Sequence, residues 1–273
     1  MTDGFTMDAY GDLLDALADA GYAFLTVRDY LARDGLPERF VVLRHDVDRK
    51  PGNADRMAAL EADRGVRATY YYRTSTFDAE RVRRLEGLGH EVGYHYEDYV
   101  RAGGDLEDAH RLFANNLRVF RRDCTVETVC MHGNPLSPHD NREMWTADGA
   151  PGFAAYGLLG EAYLSVDFED VAYFSDTGRT WRDGPLKIKD HTMGDGGRRA
   201  AADTTGDLAA VFRGGDVDRA CVLAHPERWA DSLPELVAAR SKDGAVNLVK
   251  RGMHLLDYGA AGARPTSTPN DDQ

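Results

Sequence analysis

The sequence predicts an α/β fold with parallel strands, and three observations carry that prediction. Phe40-Val41-Val42-Leu43 is a continuous apolar run, the pattern of a strand covered on both faces. Strand-like and helical patterns then alternate along the chain, as βαβ crossovers require. Several of the apolar runs end in ionisable side chains, which places charge at the carboxyl edge of the sheet, where α/β proteins build their sites.

Taken in order, Leu13, Leu14, Leu17 and Ala18 recur at helical spacing before Gly21, so the first element is a helix, and 22–27 reads as a short strand. After the strand at 40–43, Pro51-Gly52-Asn53 turns the chain into a helix over 54–64 that Gly65 ends. Strand, helix and strand follow at 67–73, 79–88 and 91–96. A helix over 106–121 leads to a strand at 126–131 and to His132-Gly133. Residues 134–160 read as a long loop with a short helix at 142–145. Strand-like pieces return at 154–158, 163–166 and 171–174; a helix is expected at 208–212 and a last buried strand at 220–224. After a loop at 194–197, a helix over 246–256 closes a single domain spanning 1–259, and 260–273 has the Pro, Thr, Asn and Asp content of a disordered tail.

The chain of 273 residues is 42% hydrophobic and carries a formal net charge of -13, enough apolar material for a sizeable core beneath an acidic surface. That charge argues against binding nucleic acid or anionic lipid through phosphates and favours neutral or cationic substrates. Cys124, Cys130 and Cys221 are odd in number and lack zinc-ribbon spacing, which favours a reducing cytoplasm over a disulfide framework. No leader pattern opens the sequence and no run approaches a membrane span.

Predicted strands end in Asp46/Asp48, His95/Glu97, His132, Asp167 and His225, which together describe one polar rim. Because side chains alternate along a strand, Asp46 and Asp48 share a side. Two carboxylates so placed can divide labour, one holding a metal and the other taking a proton; they can equally cap the next helix. His95 alternates with apolar Val92 and Tyr94 and is the best single metal ligand, whereas His90, at the other strand end, is structural.

Four stretches carry a family resemblance. Arg44-His45-Asp46-Val47-Asp48, Gly89-His90-Glu91-Val92-Gly93-Tyr94-His95, Met131-His132-Gly133-Asn134-Pro135 and Leu223-Ala224-His225-Pro226 resemble, in order, the motifs of the polysaccharide deacetylases (NodB-homology, carbohydrate esterase family 4). The resemblance covers 41–229 and is nearest a divergent branch with His-Asp-Val-Asp in its first motif. It implies an irregular (β/α) barrel and metal-dependent removal of acetyl groups from N-acetylated sugars.

Carried over by position, the resemblance makes Asp46 the catalytic base, Asp48 the metal-binding aspartate and His95 the first metal-binding histidine. The second histidine of that motif would fall at Tyr99, which cannot replace it. His132 is the preferred third ligand and Glu97 the alternative. His225 matches the general acid, with Asp167 as a candidate to orient it. Arg44, Arg73, Asn134 and Trp229 are expected at the substrate, with Trp145, Trp181, Tyr71 and Tyr94 as further flat faces for sugar rings. The cofactor implied is a divalent ion, zinc by preference, and the partner a carbohydrate or glycolipid precursor met inside the cell. Hydrolysis of another acyl bond (sugar O-ester, formamide or cyclic amide) and an inactive carbohydrate-binding homologue remain open alternatives.

Overall fold

A computed structural model describes residues 4–182, 202–232 and 235. The features expected at 194–197, 246–256 and 260–273, and the domain limit at 259, lie outside them.

The chain begins with helix α1 (Met7–Asp19), whose N-terminus Thr6 caps by accepting from the Ala9 amide, and strand β1 (Ala23–Leu25). Helix α2 (Val27–Ala32) follows at once, where a capping box between Thr26 and Asp29 ends the strand that periodicity extends to 27. Then come β2 (Phe40–Val47), α3 (Pro51–Ala62), β3 (Thr69–Tyr72), α4 (Ala79–Gly87) and β4 (Glu91–Tyr96). Two helices, α5 (Asp98–Arg101) and α6 (Leu106–Phe120), precede β5 (Thr128–Met131) and the short α7 (Glu143–Thr146). The described chain closes with β6 (Gly160–Glu161), β7 (Ala172–Ser175), α8 (Thr205–Gly214) and β8 (Arg219–Ala224).

Two expected strands are absent. Residues 154–158 begin in a 3-10 turn (Phe153–Tyr156), and 163–166 form a turn because the Glu161 carboxylate gathers the amides of Met131, Tyr163 and Leu164 at 2.7–2.8 Å. Those bonds bend the backbone immediately after β6.

Among the described residues every strand pair is parallel, in the order β6-β5-β4-β3-β2-β8-β7, with β1 beside the first half of β2. The sheet curls: Arg44 on β2 lies 4.2 Å from the ring centre of Tyr163, just past β6, although β3, β4 and β5 intervene in the sheet. The Tyr163 and Tyr173 hydroxyls, 3.2 Å apart, bridge the two end strands, for which no ladder pairing occurs among the described residues. This is the expected irregular (β/α) barrel, with helices packed outside.

Every residue of β2 is buried, and its alternation decides the layout. Inward go Arg44 and Asp46; outward goes His45, whose ring reaches Glu61 of α3 at 2.7 Å and the Ala224 carbonyl at 3.2 Å. Glu61, fully buried, also accepts from the hydroxyls of Tyr10 (2.5 Å) and Tyr70 (2.7 Å). Behind it, His90 accepts from the Ala68 amide and donates to the Ala58 carbonyl, the pattern of a neutral ring. Inside the barrel, Gly93 leaves room for the Tyr71 ring: a Cβ there would stand 2.3 Å from it and 2.9 Å from the Thr128 carbonyl oxygen.

Burial opposes ionisation of Glu61, but the His45 charge and hydrogen bond prevail and its pKa lies below the usual carboxylate value. Burial likewise lowers the His90 pKa. Unfolding releases both to take up protons at their ordinary values of about 4.3 and 6.5. Their stabilisation is therefore complete above about pH 7 and fades as pH falls through the His90 window and then that of Glu61. Glu61→Gln turns an amide toward three donors and is expected to cost about 3 kcal/mol at pH 7.5, a gap that narrows by pH 3.5; urea denaturation of both proteins across this range measures it. Gly93→Ala is expected to lower stability by about 1–3 kcal/mol in the same assay.

Candidate metal centre and active site

The carboxyl ends of β2, β4, β5, β7 and β8 meet at one rim of the barrel. Three ligand atoms converge there. Asp48 Oδ1 lies 3.0 Å from His132 Nδ1 and 3.3 Å from His95 Nε2, and the two nitrogens are 3.4 Å apart.

Both imidazoles are held from behind. His95 Nδ1 is 3.0 Å from the Cys130 carbonyl oxygen, which can only accept, so the proton sits on Nδ1 and the Nε2 lone pair faces Asp48 and His132. His132 is fixed by its backbone: its amide donates to the Tyr96 carbonyl at 2.8 Å and its carbonyl accepts from Asn141 Nδ2 at 2.7 Å. Asn141, a residue sequence reasoning missed, also accepts from the Val100 amide and so ties three segments together.

The fit to a metal ion follows from these distances. Ligand atoms about 2.0–2.1 Å from a tetrahedral ion stand about 3.3 Å from one another, the spacing seen here. Two imidazoles and one carboxylate are suitable donors for zinc and similar ions. The Asp48 and His132 side chains are each 17% exposed while His95 is 2% exposed, so the ligand set is open on the solvent side. Burial raises the Asp48 pKa but the hydrogen bonds and charges of His132 and His95 outweigh it, holding the carboxyl well below its usual value and ready to ligate.

Asp46 lies one layer deeper. Its Oδ2 is 3.1 Å from Arg44 Nη2, 3.8 Å from His95 Nε2 and 3.9 Å from Cys130 Sγ, while its buried Oδ1 has no hydrogen-bond partner among the described residues. Asp46, His95 and Cys130 also form a second, wholly buried group with ligand spacing that shares His95 with the first.

On the neighbouring strands His225 is paired with Asp176, not with Asp167. Asp176 Oδ1 is 2.6 Å from His225 Nδ1 and 3.0 Å from Arg228 Nη1; Oδ2 accepts from the His225 amide and from Trp229 Nε1, both at 2.9 Å. Asp167 is exposed in the turn after β6, accepting from the Glu169 amide. Because 163–166 is no strand, the carboxylate that reaches the rim is the one that ends β7. Val171-Ala172-Tyr173-Phe174, an apolar run followed by Ser175 and an acid, was the available signal. Burial and the Arg228 charge oppose the His225 cation, yet Asp176 and Asp48 prevail, and the His225 pKa lies above its ordinary value.

Other expected contacts fall elsewhere. Glu97 is taken up by Arg73 and Arg101, each at 2.7 Å, and stands outside the ligand group. Tyr99 packs against the His139 ring. Arg44 is fully buried between Asp46 and Tyr163, and Trp229 is fully buried among Phe5, Tyr10 and Trp181, so neither side chain is exposed at the rim. Trp181, Tyr71 and Tyr94 are likewise fully buried, and Trp145 packs on Phe113 and Phe153. Of the expected substrate residues, Arg73 and Asn134 keep partial exposure, Asn134 in a turn where it accepts from the Leu136 amide.

No protein-family model matches the sequence, and no curated protein matches it significantly. Solved structures similar to it include two described as carbohydrate esterase family 4 proteins and one described as a peptidoglycan deacetylase. One is a family 4 pseudoenzyme from Bacillus anthracis (12% identity, TM-score 0.43), matched over 79% of this chain and 62% of that one. Another is a family 4 esterase from Streptococcus mutans (14% identity, TM-score 0.43), over 75% and 83%. A third is the peptidoglycan deacetylase PdaC from Bacillus subtilis (14% identity, TM-score 0.36), over 78% and 97%. This chain thus spans about six-tenths of the pseudoenzyme's length. Likenesses so remote leave the chemistry to be read from the site itself.

Asp176 satisfies donors from His225, Arg228 and Trp229 in a fully buried position. Asp176→Ala strands them and is expected to cost about 3–5 kcal/mol, measured by chemical denaturation at neutral pH.

Proposed function

We propose that this protein is a metal-dependent deacetylase acting on an N-acetylated sugar or a glycan or glycolipid precursor. The observation that carries the reading is the convergence of Asp48, His95 and His132 at tetrahedral spacing between a buried carboxylate, Asp46, and a carboxylate-paired imidazole, His225. Asp48, His95 and His132 are the ligands in this reading. A divalent ion held there, zinc by preference, supplies Lewis acidity toward the acetyl carbonyl and toward water.

The chain's own groups do the proton work. Asp46 is the base: Arg44 neutralises Oδ2 from behind, which leaves Oδ1 to take a proton from the attacking water. His225 is the acid: Asp176 holds the Nδ1 proton and stabilises the imidazolium, so Nε2 delivers its proton to the nitrogen as the C–N bond breaks. Acetate and a free amino sugar are the products, and His225 regains a proton from solvent while Asp46 gives one up.

The formal net charge of -13 supports a neutral substrate over a polyphosphate. Among the described residues no helix is long and apolar enough to cross a membrane. Cys124, Cys130 and Cys221 are all buried, and their odd number supports a reducing compartment such as the cytoplasm.

Asp48→Ala and His95→Ala are expected to abolish zinc binding and acetate release together. Asp46→Asn is expected to keep zinc, measured by elemental analysis, and to lower kcat by about 10²–10⁴-fold. Loss of zinc from Asp46→Asn with retention in Asp48→Ala would reverse the two roles. Zinc lost on His132→Ala and kept on Glu97→Ala identifies the third ligand. Parallel assays for acetate, formate and amine on acetylated, formylated and O-acetylated sugars decide which acyl bond is cut.

A further inference from the structure

The turn after β8, Pro226–Arg228, carries an acid with no assigned role. Glu227 follows His225 by two residues, and its side chain is 5% exposed. Neither of its carboxyl oxygens has a hydrogen-bond partner among the described residues. The cation paired with it, Arg49, stands 3.7 Å away with a side chain 72% in solvent. Asn53 Nδ2 clamps the turn on both sides, donating to the carbonyls of Pro226 (3.2 Å) and Trp229 (3.1 Å), so the position of Glu227 is held by the backbone and not by bonds of its own.

The contrast with its neighbours is sharp. Asp176, buried in the same place, is fully supplied with donors, and Glu61 accepts from three groups behind β2. A buried carboxyl left without donors destabilises the free protein, and such a group persists where a ligand brings the missing partners. Glu227 lies two residues past His225, and Arg49, the cation paired with it, directly follows Asp48, which sets it near the proposed acid and the proposed metal ligand.

We propose that Glu227 is a substrate-binding residue whose carboxyl engages a pair of hydroxyl groups on the sugar that bears the acetamide. The inference rests on the deacetylase reading above. A neutral partner fits because the charges around Glu227 are already mixed: Arg49 is paired with Glu227 itself, and Arg228, the next residue, is paired with Asp176. The two carboxyl oxygens, buried and without donors among the described residues, are suited to accept from a pair of hydroxyl groups.

The test uses metal-free full-length protein and an N-acetylglucosamine tetramer as probe. Glu227→Met removes the unpaired oxygens at similar volume, so Tm is expected to rise while the Kd of the tetramer, by calorimetry, weakens at least tenfold. Glu227→Gln keeps shape and polarity and is expected to fall between. In the zinc-loaded enzyme KM for the same tetramer is expected to rise at least tenfold in Glu227→Met, with kcat changed less than threefold. A fall in Tm, unchanged affinity, or a collapse of kcat at constant KM overturns the proposal, as does a glucosamine tetramer that depends on Glu227 more than the acetylated one. Wild-type protein that binds the tetramer without releasing acetate defeats the reaction but not Glu227. Acetate release with Glu227→Met binding as tightly as wild type defeats Glu227 alone, and a tetramer that never binds overturns both.

Discussion

The structure depends on one constraint: β2 is buried along its whole length yet carries Arg44, His45 and Asp46 in succession. Charge inside a fold is tolerated only when it is paired or hydrogen-bonded. Strand alternation divides the load, sending Arg44 and Asp46 into the barrel and His45 into the helical layer. The outward imidazole recruits Glu61, which in turn recruits Tyr10 and Tyr70, so α1 and α3 are pinned to the sheet by polar bonds as well as by apolar packing. The inward pair sets the floor of the site. A single-residue slip of β2 would exchange these two environments and break both.

The polar interior therefore has two functions that share a backbone. Behind β2 the groups are saturated: both oxygens of Glu61 accept hydrogen bonds. In front of β2 the groups grow less satisfied toward the solvent. Asp46 keeps one oxygen unpartnered, Asp48 faces two imidazole nitrogens, and Glu227 has no donor among the described residues. A gradient from saturated to unsaturated polar groups is what a binding site requires, because the free valences belong to what enters from outside. His225 marks the boundary between the regimes, its Nδ1 committed to Asp176 and its Nε2 available.

Much of this was legible in the chain. Apolar runs of four to six residues ending in acids and histidines gave β2, β4, β5 and β8 and put Asp46, Asp48, His95, His132 and His225 on one rim. Strand alternation was enough to set Asp46 and Asp48 on one side. The misreadings share a cause: they lie where a side chain overrode local pattern. Glu161 bends the chain after two residues of β6, Thr26 and Asp29 cap a helix inside an apparent strand end, and the partner of His225 shifts from Asp167 to Asp176 as a result.

Residue type and spacing alone thus determined the parallel α/β class and the strand ends that carry ionisable side chains, because burial period and strand alternation are local properties of the chain. What only the tertiary structure decided is which of those residues meet. The curl of the sheet brings β2 across to the turn after β6, buries Arg44 and Trp229 completely, gives Glu97 to two arginines and leaves Glu227 without a donor among the described residues. Those outcomes follow from distances between residues far apart in sequence, which no local pattern encodes.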